Sequence, residues 1–166
     1  MITLAPLEIG QYETVARWLS NPEINTWLSG EWRQRETTSS VVAIAVRNRR
    51  NRLFAVCLSG EPCGLVAFSD IDLLDKTAMV WYLLGEQVLS GKGVMTGAVT
   101  KLIHIAFSEM RLECIYAWAI ESNVASIRVL TKAGFRHAGR LRRAANTRGQ
   151  QMDRLYFDIT LCDTVT

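Results

Sequence analysis

The chain has 166 residues, a length that suits one domain spanning 1–166 and large enough to bury roughly 70% of the surface its unfolded form exposes. Hydrophobic residues make up 49% and charged residues 21%, which excludes a disordered or low-complexity chain. A net charge of +3 and a pI near 8.8 are too mild to argue for nucleic acid and suit a small polyanionic ligand.

The opening Met-Ile-Thr-Leu-Ala-Pro-Leu-Glu lacks the basic start and apolar core of a signal peptide, and no apolar run approaches the ~20 residues of a membrane span. A cytoplasmic protein without a membrane partner is expected. Cys57, Cys63, Cys114 and Cys162 show no C-x-x-C spacing, and neither His104 nor His137 stands near paired cysteines. The thiols read as reduced, mostly core residues and no metal site is expected. A Cys114–His104 nucleophile pair is conceivable but has no motif behind it.

In chain order, Ile2 to Leu4 reads as a short strand. Gln11 to Leu19 places Tyr12, Val15 and Leu19 at helical spacing, and Asn21-Pro22 ends that helix. A connection rich in aromatics holds Trp27 and Trp32, which could line a pocket for an organic substrate or cap the core. A helix follows from about Glu36 to Arg47, with Val41, Val42, Ile44 and Ala45 as its apolar face. The basic run Arg47 to Arg52 reads as a solvated helix end.

Leu53 to Leu58 and Cys63 to Ile71 are apolar segments joined by Ser59-Gly60-Glu61-Pro62, a hairpin signal. Asp70, Asp72 and Asp75 cluster beyond, and Lys76 to Leu84 completes an antiparallel meander. From Gly93 to Met110 the residues Val99, Leu102, Ile103, Ala106 and Met110 form the stripe of a helix packed on a sheet. Ile115 to Ile120 reads as a strand, Asn123 to Ala133 as a helix closed by Gly134, and Phe135 to Leu141 as another strand. Arg148-Gly149 then turns the chain into Met152 to Leu161, where Leu155, Phe157, Ile159 and Leu161 alternate.

The stretch from Trp81 to Thr96 is a strand, a polar loop and Gly91-Lys92-Gly93 opening a helix. Such a turn suits anion capture, because the first helical N–H groups lack partners and carry the positive end of the macrodipole. Glycines there let a phosphate approach the main chain closely. The alternative is a tight strand-to-helix connection and nothing more. The P-loop pattern does not fit, since Gly85 and Gly91 enclose five residues and Gly93 follows Lys92; Thr96 stands where the dinucleotide fingerprint needs glycine.

The element order and two motifs resemble the GNAT superfamily of acetyl-CoA-dependent N-acetyltransferases. One is Gln87-x-x-x-Gly91-Lys92-Gly93-Val94-Met95-Thr96. The other is Asn123-x-x-Ser126-x-x-x-Leu130-x-Lys132-x-Gly134-Phe135 with Gly139, which is similar to the RimJ/RimL-type branch. The resemblance implies an α+β fold: a mixed, mostly antiparallel seven-stranded sheet flanked by about four helices. The sheet would split beside the fourth strand, where a β-bulge frees backbone groups.

On that resemblance acetyl-CoA is the co-substrate. The amides of Gly91, Lys92, Gly93, Val94, Met95 and Thr96 would hold its pyrophosphate. The main chain at Leu83 and Leu84 would pair with the pantetheine arm, an N–H there would polarise the thioester carbonyl, and Asn123 and Ser126 would also contact the arm. The reaction implied is direct attack of a neutral primary amine, from a small molecule or a protein N-terminus, on the thioester.

Ser126 is the implied acid for the leaving thiolate, because Leu130 stands where many relatives carry a tyrosine. Met79, Trp118 and Ala145 occupy positions where relatives place a carboxylate base. Glu86, with Asp70, Asp72 and Glu121, is a nearby carboxylate that could act through water, and Glu86 is the catalytic candidate. Trp27, Trp32, Asp72 and Tyr82 are candidates for the acceptor site.

The arginine-rich segment Arg136 to Arg148 could meet an acidic acceptor or form the wet face of two strands. A sugar-nucleotide amine acetyltransferase would use Arg140 and Arg142 for a diphosphate, and a non-catalytic acyl-CoA-binding module is the alternative of another class. A homodimer would be unremarkable.

Overall fold

A computed structural model describes residues 1–33 and 36–164. Among them seven strands join in one sheet: β1 (Ile2–Pro6), β2 (Arg52–Leu58), β3 (Glu61–Asp72), β4 (Thr77–Leu84), β5 (Cys114–Ile120), β6 (Arg136–Thr147) and β7 (Gln150–Thr160), in the order β1-β2-β3-β4-β5-β7-β6. The helices among the described residues are α1 (Tyr12–Ser20), α2 (Pro22–Asn25), α3 (Gly30–Arg33), α4 (Ser39–Arg47), α5 (Val94–His104) and α6 (Val124–Lys132). A π turn over Ile105–Glu109 extends α5. None of these helices is long and apolar enough to cross a membrane.

The α+β architecture is the expected one, with six helices where about four were expected. The two additions are single turns inside the aromatic connection. Asn21 both ends α1 and starts α2, its side-chain oxygen accepting from Glu23 N at 3.0 Å with Pro22 at the first helical position. Pieces this short carry too few residues to show a period.

The meander β1 to β4 is antiparallel throughout, and β2 turns into β3 through Ser59 (φ 53°) and Gly60 (φ 94°), the left-handed pair that two-residue hairpins favour. β4 and β5 are parallel, so a crossover is needed, and α5 supplies it. Their pairing runs from Thr77↔Cys114 to Met79↔Tyr116, after which the strands part. β7 inserts between β5 and β6, antiparallel to both.

Each face of the sheet buries its own core. Ala98, Val99, Leu102 and Ala106 of the α5 segment and Leu130 of α6 pack against Val66, Phe68, Val80, Ile115 and Phe157. Val15 and Leu19 of α1, Ile24, Trp32 and Val42 cover the opposite face over Leu53, Ala55, Leu65, Ala67 and Leu83. Cys63 to Phe68 of β3 is buried at every residue because both faces of that strand are covered.

Three local expectations change. α4 begins at Ser39 behind Thr38, whose hydroxyl accepts from Val41 N at 3.4 Å, and Ile44 points outward at 69% exposure while Val42 is fully buried. The bulge expected on the fourth strand lies on β3 instead, between Ser69 and Asp72, where Asp70 has φ 51°, and the β3–β4 register is unbroken from Met79 to Leu84. β6 runs on to Thr147, beyond the expected Leu141, through a register shift between Leu141 and Ala145 that breaks its alternation. Asp153 holds that bulge, its Oδ1 accepting from Arg143 N at 2.8 Å.

Candidate active site

Where β4 and β5 part, a cleft of about 480 Å³ opens and passes from one face of the sheet to the other. Side chains on a strand alternate between faces, so β4 sends Tyr82 and Leu84 to the α5–α6 side and Met79, Trp81 and Leu83 to the α1–α4 side. The cleft therefore has two chemically different ends.

At the first end the chain enters α5 through Gly91 (φ 75°) and Gly93 (φ 76°), and Gly93 is the N-cap with no side-chain cap bond. The first helical bond is Gly97 N to Gly93 O, so the N–H groups of Gly93, Val94, Met95 and Thr96 have no intrahelical acceptor. A Cβ built on Gly91 or Gly93 would meet nothing within 4 Å, so open space lies against the main chain. Arg128 and Lys132, one turn apart on α6, line the same end. Unpaired N–H groups, a helix N-terminus and two cations make a site for a polyanion, and the residues present fit a diphosphate.

The walls continue along β4. Gly85 N donates to Cys63 O at 2.8 Å, and antiparallel pairs alternate, so Trp81 and Leu83 spend their backbone groups on β3. Tyr82 and Leu84 turn theirs toward the β5 side. Of the two residues expected to pair with an extended arm, Leu84 is so oriented and Leu83 is not; Tyr82 takes its place. Gln87 Nε2 donates to the Leu84 carbonyl at 2.6 Å.

Across the cleft, Asn123 Oδ1 accepts from Ser126 N at 3.1 Å and caps α6, which leaves its amide NH₂ free to donate. Tyr82 reaches over the split, its Oη 2.7 Å from Ser126 Oγ, and donates to the Ser126 carbonyl at 3.1 Å. Burial pushes the Tyr82 phenol above its ordinary pKa, so it stays protonated.

The second end is aromatic and acidic. Trp32 and Trp81 pack with ring centroids 5.4 Å apart, Trp27 and Trp118 add further walls, and Glu23 and Glu31 stand at the rim. The Arg154 guanidinium lies 4.2 Å from the Trp118 ring centroid. Glu31 accepts from Ser29 Oγ at 3.2 Å, and Glu23 pairs with Arg148 at 3.3 Å.

Residues 2–136 match the acetyltransferase (GNAT) domain family. The chain belongs to the GNAT acetyltransferase family. Two curated Bacillus subtilis relatives are matched over only 54% and 40% of their own length. One of them, "Probable N-acetyltransferase YjcK", is 39% identical over 74 residues, 45% of this chain. Among solved structures the fold is similar to spermidine N-acetyltransferase from Vibrio cholerae in complex with CoA and spermine, with a TM-score of 0.88, 18% identity, and 99% and 98% of the two chains covered. It is also similar to Mycobacterium smegmatis RimJ in complex with CoA-disulfide, with a TM-score of 0.83, 22% identity, and 99% and 84% covered.

In this GNAT chain the cleft gathers most of the residues singled out from sequence: Leu83, Leu84, Gly91, Gly93, Val94, Met95, Thr96, Asn123, Ser126, Trp27, Trp32 and Tyr82 all line it. Lys92 does not; it is exposed, and its amide, expected to hold phosphate, donates to the Leu89 carbonyl at 3.3 Å. Glu86 is not in the cleft either. It follows Gly85 onto the α1 side and faces a separate groove with Glu13, Arg17 and Glu36.

Asp72 is a turn residue at the far end of β3, accepting from Leu74 N and Asp75 N at 2.9 Å each. Those backbone donors, that of Asp75 first, hold its pKa below the usual value. The cleft is also lined by residues that sequence reasoning did not single out for it: Glu23, Glu31, Trp81, Arg128 and Lys132. The signal available was the spacing Arg128–Lys132, one helical turn, within a motif already read.

Two further alternatives lose their support. Burial pushes the Cys114 thiol pKa up, the reverse of activation, and His104 Nδ1 is paired with Ser108 Oγ at 3.1 Å. Arg140 is committed to Asp153 and to Glu121, the latter at 3.2 Å, and Arg136 to Asp163 at 2.6 Å. Neither Arg140 nor Arg142 lines the cleft, so the sugar-nucleotide reading has no diphosphate contact there.

Proposed function

We propose that this chain transfers the acetyl group of acetyl-CoA to a cationic primary amine carried on an apolar or aromatic body, by direct attack and within one domain. The observation that carries the reading is the through-sheet cleft, with a polyanion site on one face and an aromatic, acid-rimmed pocket on the other. A donor and an acceptor entering from opposite faces would meet at the split. Among the described residues no cluster of His, Cys, Asp and Glu that could hold a metal ion occurs, and none is invoked.

Acetyl-CoA supplies an acyl group already activated as a thioester. The N–H groups of Gly93 to Thr96, with Arg128 and Lys132, hold the phosphates. Tyr82 and Leu84 offer backbone groups to an extended arm, and Asn123 offers its amide NH₂. A backbone N–H aimed at the thioester carbonyl stabilises the charge that grows there, an effect of order 10²–10³ in rate for one donor.

At the other end, Glu23 and Glu31 attract an ammonium group, and the tryptophan walls take it out of water. Desolvation disfavours the charged form and lowers the amine pKa below its ordinary range of ~8–10, which frees the lone pair for attack. Glu31 at the rim is the outlet for the released proton, in the role that Glu86 cannot fill from the opposite groove. The RimJ/RimL-type motif around Asn123 and Ser126 supports a place in that branch, and the apolar, flat walls favour a compact organic amine or an N-terminus bearing a large side chain.

Calorimetric titration with acetyl-CoA, and with the form lacking the adenosine 3′,5′-diphosphate portion, tests this reading. Binding that depends on that portion, followed by thiol release with an arylalkylamine, is the expected result. Absence of binding to either form defeats it.

A further inference from the structure

Only a neutral amine attacks a thioester, so on the functional reading just given, on which this inference rests, the reacting nitrogen sheds its charge at the split. Any positive charge still held at the rim then belongs to a second group. The two rim acids differ in what they meet. Glu31 accepts from the Ser29 hydroxyl, whereas Glu23 meets a cation from the far end of the chain, Arg148 Nη2 at 3.3 Å from its Oε1. Glu23 lines the cleft and Arg148 does not.

Arg148 is delivered there by a turn that is held without the ion pair. Asn146 Oδ1 accepts from Gly149 N at 3.0 Å and closes the tip between β6 and β7. Thr147 is buried, and the Arg33 guanidinium at the end of α3 donates to the Asn146 carbonyl. The tip is thus seated on the short helix that carries Glu31. Arg148 itself sits at φ 52°, followed by Gly149 at φ 83°. Two left-handed residues in a row are the place for Asn-Gly, and an arginine there is strained. The turn gains nothing from the arginine; the rim gains a guanidinium.

We infer that Arg148 is a specificity-determining residue: its guanidinium holds on Glu23 the place that a second ammonium group of the acceptor would take, and so selects monoamines over diamines. A diamine must displace a cation tethered to the fold before Glu23 can serve it, whereas a monoamine leaves the pair intact. Both side chains are largely exposed, 67% for Arg148 and 76% for Glu23, so the preference is modest. An exposed pair of this kind corresponds to about a twofold to fivefold change in binding.

The test compares benzylamine with para-bis(aminomethyl)benzene, which adds a second ammonium group to the same ring. With the full chain and saturating acetyl-CoA, thiol release gives kcat/KM for each amine. The quantity read is the diamine-to-monoamine ratio, so the diamine's two equivalent amines cancel between variants. Arg148→Asn removes the cation and places Asn-Gly in the turn, which keeps the fold, and a thermal melt verifies it. The ratio rises about twofold to fivefold at low salt, through KM for the diamine, while Arg148→Lys, which keeps a cation, stays near the wild type. Most of the rise is lost in a Glu23→Gln background, and at about 0.5 M salt it disappears in the parent background as well.

A ratio unchanged by Arg148→Asn overturns the inference. So does a fall, which makes the guanidinium a contact for the acceptor, and so does an undiminished rise in the Glu23→Gln background, which makes the effect long-range repulsion and not competition for Glu23. Those outcomes leave the functional reading standing. Absence of acetyl-CoA binding, or of thiol release with both amines, defeats that reading and this inference with it.

Discussion

Gly85 lies flat against the indole of Trp18: a Cβ built on Gly85 would come 2.1 Å from Trp18 Cε2. Trp18 is buried in the core beneath α1 and cannot yield, so the end of β4 is seated on α1 at the point where the chain leaves the sheet for the glycine turn. Local packing on one face thus sets where the anion site on the other face begins.

Gly85→Ala should therefore destabilise the fold by about 2–3 kcal/mol, the range for overpacking a rigid core. At this chain length that lowers Tm by roughly 5–10 °C in a thermal melt. A shift under about 1 °C would show that β4 can lift off the indole.

Gly93 poses the opposite case, since its cost is conformational and not steric. It sits at φ 76° with open space where a Cβ would go. Gly93→Ala should cost about 1–2 kcal/mol through the left-handed backbone alone. Gly93→Asn, a residue that tolerates that region, should cost visibly less in the same denaturant titration. Equal losses would point to contact rather than backbone strain.

Asp153 ties β6 to β7 through the Arg143 amide and the Arg140 guanidinium, and those two partners, the amide first, hold its pKa below the usual carboxylate value. A depressed folded pKa gives stability that is fully present above the unfolded value of ~3.9 and lost as pH falls through the folded value. Asp153→Asn should lower the urea midpoint at pH 7, and the gap to wild type should close in acid. A gap that stays constant down to pH 2 would remove the ionised carboxylate from the account.

The acceptor pocket makes a separable prediction. Trp27→Ala and Glu31→Gln should each raise the acceptor KM several-fold, by lost wall area and lost attraction for an ammonium group respectively, while calorimetric affinity for acetyl-CoA is unchanged. Raising ionic strength should erase the Glu31→Gln effect and spare that of Trp27→Ala. Loss of acetyl-CoA binding in either variant would place these residues at the wrong end of the cleft.

Sequence periodicity and turn chemistry by themselves determined the sheet-forming segments, the helices on its α5–α6 face and the glycine turn, because these rest on contacts within a few residues. Alternation in β7, the stripe of α5 and the left-handed positions at Gly60, Gly91 and Gly93 are all local. The aromatic connection was legible as unusual, but its one-turn helices were not, since four residues cannot display a 3.6-residue period.

Tertiary structure alone decided which polar groups meet. Asp72 and Glu86 are near the site in sequence, yet a bulge and one glycine packed on an indole send them away from it. Glu23 and Glu31 are 58 and 50 residues before Trp81 in the chain, yet the helical layer lays them at the mouth of the same cleft. Tyr82 and Ser126 meet because β4 and β5 part after Met79, and the hydroxyl that faces a given split depends on strand register, which no span of sequence shorter than the whole sheet contains.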